Sequence, residues 1–409
     1  MSGYRILFIG LNYAPEPIGI GPYTAGLAEA LVARGHEVQA VVGQPYYPEW
    51  KLFDRFKRRW KTSVENGVKV RRCPHYIPTN PTGKKRLAHH ASFASSAYPA
   101  ARRARRQLKP DLVFTVAPSM IAAPVAIRMA RRAGVPLWMH VQDFEVGAAL
   151  ATGLIDSESR TADAAARFED RMLHAAHLVS TISHPMCQML EDKGVAPANI
   201  LEMRNWANHV HAIERANGEN LRREWGLEGK TVALYSGNIA NKQGLDVVIE
   251  AARLMEARED IVFVISGEGP NRARLEQSAA GLRNVLFRDL QPEARIGELL
   301  KLADIHLLPQ LGDAADLVLP SKLGNMLASG RPVIATVRPG TGIARELVDC
   351  GIVVPPETPE AIVSALEALA SHEDYRATMG GAAKARAHFA WSKKAVVDTF
   401  EQGLERLLG

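Results

Sequence analysis

Cysteine is scarce in this 409-residue chain: Cys73, Cys187 and Cys350 stand far apart and match no zinc or disulfide spacing, so they are expected as reduced, buried thiols. No apolar run approaches the ~18 to 20 residues needed to cross a bilayer, which excludes a membrane-spanning helix. The opening MSGYRILFIG offers one basic residue before a short apolar run rather than a charged region, an apolar region and a cleavage site. A chain kept in the cytoplasm is therefore expected. The three spaced glycines of a nicotinamide-binding turn are also absent, since Gly10, Asn12 and Ala14 follow the first apolar run, and a dehydrogenase is disfavoured. No Asp-x-Asp tripeptide and no His/Cys cluster occurs, so neither a metal-held diphosphate nor a catalytic metal is expected and no cofactor is foreseen.

What is present points to a globular protein of two large domains. Apolar residues make up 47% and charged residues 23%, ordinary for a folded soluble chain, and the length exceeds one core at roughly 150 residues per domain. The net charge of +6 is uneven: residues 1–205 carry 27 Lys and Arg against 17 Asp and Glu, the remainder 23 against 27. The excess gathers in Lys51 to Lys61, at Arg71 and Arg72, in Lys84 to Arg86 and in Arg102 to Arg106. The first of these, with Phe53, Phe56 and Trp60 as its apolar side, reads either as a segment docking on an anionic membrane surface or as a solvated charged face. No nucleic-acid motif accompanies the charge.

Along the chain, short apolar runs alternate with helical patterns. The first half reads as strand Arg5 to Gly10, a glycine-bearing loop, helix Tyr23 to Arg34 stopped by Gly35, and strand Val38 to Val42. It continues with strand Asp111 to Val116, helix Ser119 to Ala133, strand Pro136 to Val141, helix Thr161 to Ala176, run Leu178 to Ile182 and helix Pro185 to Lys193. The pattern lapses near Asn205 to Asn208, taken as a hinge, and strands resume at Thr231 to Tyr235, Ile261 to Ile265, Asn284 to Phe287, Ile305 to Leu308 and Pro332 to Thr336. The last helix runs from Lys393 to Leu408. This is an α/β chain of two doubly wound, Rossmann-like lobes, 1–207 joined by about 392–409 and then 208–391, expected to face a central cleft.

Polar and glycine residues collect where strands end. Gly19 and Gly21 would let backbone amides approach a phosphate or sugar, and His140 closes an apolar strand just before Gln142 and Asp143. In the second lobe three loops should converge: Ser236 to Gly244 with Gly237, Asn238 and Lys242, Ser266 to Pro270 with Glu268, and Gln310 to Lys322. The last leads into PSKLGNMLASGRPVIA, where Ser321 stands at an expected helix N-cap position and Lys322 follows it. Two lysines and a helix N-terminus would neutralise a diphosphate.

Taken together, NYAPEPIGIGPYT, YSGNIANKQGLDVVIEAA, SGEGP and LPSKLGNMLASGRPVIA resemble a family 4 retaining glycosyltransferase of the GT-B fold, near the colanic-acid and exopolysaccharide branch, over essentially the whole chain. The resemblance implies an acceptor-binding first lobe, a nucleotide-sugar-binding second lobe and a final helix returning to the first. It places sugar-diphosphate contacts on Gly19 to Gly21, Lys242 and the Pro-Ser-Lys segment, with His140 beside the transferred sugar. The chain departs from the family in three places: Asn238 replaces a common arginine, Asn325 a glutamate that binds ribose hydroxyls, and Leu317, next to Asp316, a second glutamate. Asp316 is the candidate substitute near the donor sugar, and Asn325 still bonds without charge.

The implied reaction is metal-independent, retaining hexosyl transfer from a nucleoside diphosphate sugar to a saccharide acceptor carried on a polyprenyl diphosphate, at the inner face of the plasma membrane, in exopolysaccharide or capsule synthesis. Lys242, Lys322 and the amides near Ser321 would hold the leaving diphosphate, which electrostatic catalysis requires. A sugar-nucleotide epimerase or hydrolase of the same fold, and a non-catalytic nucleotide-sugar-binding partner, remain as alternatives.

Overall fold

The computed structural model describes residues 3–117, 119–144, 159–312 and 319–409, with the side chain of Lys242 outside that description. Contacts divide the chain into a first unit, Met1–Met203 with Val397–Gly409, and a second, Arg204–Val396.

The first unit holds β1 (Arg5–Gly10), α1 (Gly21–Ala33), β2 (Glu37–Gly43), β3 (Lys61–Glu65), β4 (Val68–Cys73), α2 (Gly83–Leu108), β5 (Leu112–Ala117), α3 (Ala123–Ala133), β6 (Leu137–Val141), α4 (Arg160–Leu173), β7 (Leu178–Thr181), α5 (His184–Asp192) and β8 (Ile200–Glu202). Its sheet runs β3-β4-β2-β1-β5-β6-β7-β8, parallel throughout except for the antiparallel edge strand β3. Ile6, Leu7, Phe8 and Ile9 are all buried, as expected for a parallel strand covered on both faces.

The second unit contains α6 (Val210–Arg215), α7 (Glu219–Trp225), β9 (Thr231–Ser236), α8 (Asp246–Leu254), β10 (Ile261–Ser266), α9 (Arg272–Ser278), β11 (Val285–Arg288), α10 (Ile296–Leu302), β12 (Ile305–Pro309), α11 (Ser321–Ala328), β13 (Val333–Thr336), α12 (Gly342–Glu346), β14 (Gly351–Val354), α13 (Pro359–Ser371) and α14 (Glu373–Ala390). Its sheet, β11-β10-β9-β12-β13-β14, is wholly parallel. Both sheets grow outward from a central pair, β1 and β5 in one and β9 and β12 in the other. In such sheets the crevice for ligand opens outside the C-terminal strand ends at that pair.

The last helix, α15 (Lys393–Leu408), carries Phe400 into the first unit, stacked on Trp138 with ring centroids 4.4 Å apart, while Arg34 bonds Asp398 at 2.6 Å and Glu401 at 2.5 Å. Gly403 is required there: a Cβ would lie 2.3 Å from the Trp138 ring.

Residues 61–108, read above only for charge, fold into a hairpin and a long helix. Asn66 (φ 46°) and Gly67 (φ 84°) make the two-residue turn between β3 and β4. The Lys51 to Lys61 segment forms irregular turns before β3. Its three aromatic rings share no free face: Phe56 lies half-buried with the Arg72 guanidinium 5.0 Å from its centroid, Phe53 is half-buried, and only Trp60 is exposed.

Candidate functional site

At the C-terminal edge of the first unit, the loop from Leu11 to Ile20 is built around Glu16, which is 2% exposed. Its carboxylate accepts from the Tyr46 and Tyr47 amides at 3.0 and 3.2 Å and from the Asn12 side chain at 2.9 Å. Burial pushes its pKa up, while these donors and Arg72 oppose the shift. The buried Arg72 clamps the same loop, donating to the Ala14 carbonyl at 2.6 Å and to Glu65 at 2.6 Å. Gly19 (φ 74°) leads into α1, and Gly21 begins the helix where a Cβ would press against Glu16 at 2.9 Å. The sequence reading passed over Glu16 and noted Arg72 only as part of the basic excess. The signal for Glu16 is a carboxylate between two prolines; Arg72, beside Lys69 and Arg71 in β4, has none.

His140 sits at the end of β6 on this edge, 4% exposed. Its Nδ1 lies 2.9 Å from the Ser180 hydroxyl, which also accepts from the Trp138 indole at 2.8 Å, and its Nε2 lies 2.8 Å from the Gln142 amide nitrogen. Burial pushes its pKa down to about 3, so the ring is neutral at physiological pH. Both ring nitrogens are thus engaged within the unit.

In the second unit the first two expected loops interlock through their backbones. Gly237 N–H donates to Ser266 O at 3.0 Å and Ile239 N–H to Glu268 O at 2.8 Å. Gly237 takes φ 135°, and Gly267 and Gly269 abut the neighbouring strand of loop so closely that a Cβ would lie 1.9 Å from the Gly237 oxygen and 2.2 Å from the Ile239 oxygen. Ser236 is half-buried and Asn238 exposed, and the Asn238 carbonyl accepts from the Tyr235 hydroxyl at 2.6 Å. Glu268 points to solvent and pairs with Arg272 at 2.5 Å. Lys242 falls in the turn Asn241–Gln243, its side chain outside the described residues, as is all of Asp316.

The third loop enters α11, and here one expectation is corrected. The N-cap is Pro320, not Ser321: Pro320 is extended (φ −64°, ψ 125°), its carbonyl accepts from Leu323 N–H at 2.9 Å, and the helix already includes Ser321. Proline has no side-chain acceptor, so the first-turn amides gain no side-chain cap. The Leu323 amide turns back to Pro320, and the Ser321 and Lys322 amides have no side-chain acceptor at the cap. Lys322 lies half-buried with its Nζ 4.1 Å from the Tyr235 ring centroid, against Gly237. Among the described residues it makes no ion pair, and burial pushes its pKa down to about 7. Tyr235, missed in the sequence, is the floor beneath it. Asn325, one turn on, accepts from the His209 N–H at 3.2 Å, joining α11 to the start of α6.

The geometry thus brings together Gly237, Asn238, Lys322 and the first turn of α11 around the central strands β9 and β12. It sends the Glu268 carboxylate to Arg272 and engages the Asn325 carbonyl with backbone. No group of three His, Cys, Asp or Glu that could hold a metal ion occurs among the described residues.

Comparison with known proteins agrees with this layout. Residues 19–206 match the family described as glycosyl transferase 4-like domain, and residues 230–372 match glycosyl transferases group 1. WcaI of Escherichia coli strain K12, provisionally assigned as a colanic acid biosynthesis glycosyl transferase, is 40% identical over 88% of this chain and 91% of its own length. Anabaena HepE, solved in complex with UDP, superposes with a TM-score of 0.68 at 15% identity, over 98% of this chain and 100% of that one. Sucrose-phosphate synthase of Thermosynechococcus elongatus superposes at 0.71 and 15% identity, over 98% and 99%. The two Rossmann-like units, the matched sequence families and the close relative together make this chain a glycosyltransferase of family 4 with the GT-B fold.

Proposed function

We infer that the chain transfers a hexose from a nucleoside diphosphate sugar, with retention and without metal, to a saccharide borne on a polyprenyl diphosphate at the inner face of the plasma membrane, in exopolysaccharide or capsule synthesis. The observation that carries this is in the second unit: the Ser321 and Lys322 amides of α11, without a side-chain cap, beside a lysine that has no acidic partner among the described residues. A diphosphate bound there would receive amide hydrogen bonds and the Lys322 charge. The bond from the anomeric carbon to the leaving phosphate oxygen breaks, and these groups stabilise the electron pair that oxygen takes. The acceptor hydroxyl forms the new bond on the same face, and its proton passes to the departing phosphate. Family membership supports donor contacts at Gly19, Gly21, Ser236, Gly237, Asn238, Lys242, Asp316, Ser321, Lys322 and Asn325. Glu268, paired with Arg272, contributes through its backbone carbonyl to loop shape. HepE with UDP supports the nucleotide class.

A neutral His140 with engaged nitrogens supports transfer over epimerisation, which needs an acid and a base that change protonation at working pH. The test incubates the protein with UDP-, GDP- and TDP-sugars, with and without polyprenyl-diphosphate saccharides. Acceptor-dependent nucleotide release with a product of unchanged anomeric configuration, undiminished by EDTA, is expected. Epimer formation, nucleotide binding without turnover, or loss of activity in EDTA restored by Mn²⁺ would each refute a part of this reading.

A further inference from the structure

Within the second unit, the stretches of chain that begin and end it meet against α11. The unit opens at Arg204 and closes at Val396. Trp391, buried just past α14, lays its ring on Gly324, where a Cβ would come 2.5 Å from the indole Cε3 and 3.3 Å from the Ala207 Cβ. A side chain there would collide with the rigid ring, so glycine is what lets the indole reach the helix backbone two residues after Lys322. The Ala207 N–H donates to the Trp391 carbonyl at 2.8 Å, and the Asn325 side-chain oxygen ties the same helix to the His209 N–H at 3.2 Å. One carboxylate fastens the arrangement. Glu346, the buried last residue of α12, accepts from the Trp391 indole N–H at 2.9 Å and pairs with Arg204 at 2.7 Å through the same oxygen, Oε2. The Arg204 guanidinium also lies 5.6 Å from the Trp391 ring centroid.

Burying a carboxylate carries a desolvation cost, and apolar packing alone would seat a tryptophan ring without it. What Glu346 adds is direction, because its hydrogen bond fixes where the ring lies, and the ring lies on the first turns of α11. A helix moves as a rigid element, so what is held at Gly324 is held at Ser321 and Lys322 as well. A displacement of about 1 Å at that end would lift the Lys322 ammonium from the Tyr235 ring and misalign it with the amides toward a diphosphate. Given Lys322 as a donor contact, the reading on which this rests, we propose that Glu346 and Trp391 are positioning residues for donor binding. By clamping Gly324 they hold the start of α11 where a sugar-nucleotide diphosphate needs it, and both act through the helix rather than by contact with the ligand.

The experiment measures affinity at pH 6 and pH 8 by calorimetry on the full chain, well below each variant's thermal midpoint, with whichever UDP-, GDP- or TDP-sugar the wild type binds. Trp391→Phe keeps a ring on Gly324 and deletes the N–H, while Glu346→Ala deletes the acceptor. Each should weaken binding at pH 6 by about 3- to 30-fold, the span that side chains away from a ligand reach through a packed network. The double variant should bind no worse than the weaker of the two, since both break the same hydrogen bond. Glu346→Gln, whose carbonyl oxygen still accepts, should recover most of the affinity. The difference between pH 6 and pH 8 should shrink in Trp391→Phe and Glu346→Ala, because an ammonium moved off Tyr235 returns toward its ordinary pKa. A lowered thermal midpoint with wild-type affinity and wild-type pH dependence, or fully additive losses in the double variant, would overturn the proposal. If Lys322→Met weakens binding and these variants do not, the clamp alone falls; if Lys322→Met also binds like the wild type, the donor assignment falls and the clamp with it.

Discussion

Lys322 ties the fold to the chemistry most directly, and its ionisation can be measured. In the ligand-free protein its pKa is pushed to about 7 by burial over Tyr235, from an ordinary 10.5. If the diphosphate of a nucleotide sugar binds the ammonium form, the apparent dissociation constant scales as one plus ten to the power of pH minus 7, so binding should be roughly tenfold weaker at pH 8 than at pH 6. A sugar nucleotide is the right probe, because its diphosphate does not titrate in that interval. Calorimetry at pH 7 in buffers of different ionisation enthalpy should show uptake of about half a proton. Lys322→Met should abolish both effects and, by removing a charge-assisted contact of roughly 1.5–3 kcal/mol, weaken binding about 10- to 150-fold. The stability effect has the opposite sign. A depressed lysine pKa means that the unfolded chain binds more protons between about pH 7 and 10.5, so the ligand-free protein gains stability as pH rises through that window. Lys322→Met should accordingly raise the melting temperature at pH 6, as expected where function holds a charge in an unfavourable place. A variant with wild-type sugar-nucleotide affinity across pH 6 to 8 would refute the assignment of Lys322 to the diphosphate.

Glu16→Ala strips three hydrogen bonds from a buried carboxylate and should destabilise the first unit by about 2–4 kcal/mol in denaturant titration, with Glu16→Gln losing less. Gly267→Ala would set a Cβ 1.9 Å from the Gly237 oxygen, so it should cost about 3 kcal/mol or more and lower the yield of folded protein; a wild-type melting curve would show that the two loops do not interlock as described. His140→Ala should lower turnover far more than donor affinity. Because the ring is neutral above a pKa of about 3, the pH profile of turnover from pH 5 to 9 should carry no histidine limb, and one that His140→Ala removed would contradict the buried, neutral ring.

Parts of the site were legible because local chemistry suffices to announce them. A glycine at a strand end and a lysine after a proline at a helix start keep their meaning in isolation. The N-cap was misread by one residue because proline's preset φ allows it to occupy the cap itself, leaving Ser321 inside the helix. The hairpin of β3 and β4 escaped notice because its edge strand, Lys-Thr-Ser-Val-Glu, is largely exposed and shows no apolar periodicity. Helix α2 was hidden similarly by its basic surface and by Pro99 in its interior, where sequence rules place a break.

By itself, the sequence determined the alternation of apolar runs and helices, because each strand of a parallel sheet is covered on both faces and must be apolar along its length. It also determined the glycine positions and the family. Tertiary structure alone decided the order of strands, and with it the central pairs β1–β5 and β9–β12 at which ligand loops meet. It decided that Lys322 stands over Tyr235, 87 residues away in sequence, without an acidic partner among the described residues, and that Glu268 has Arg272 for its own. Charge pairing and burial depend on distances through space, and these are set only when the sheet closes and its helices pack.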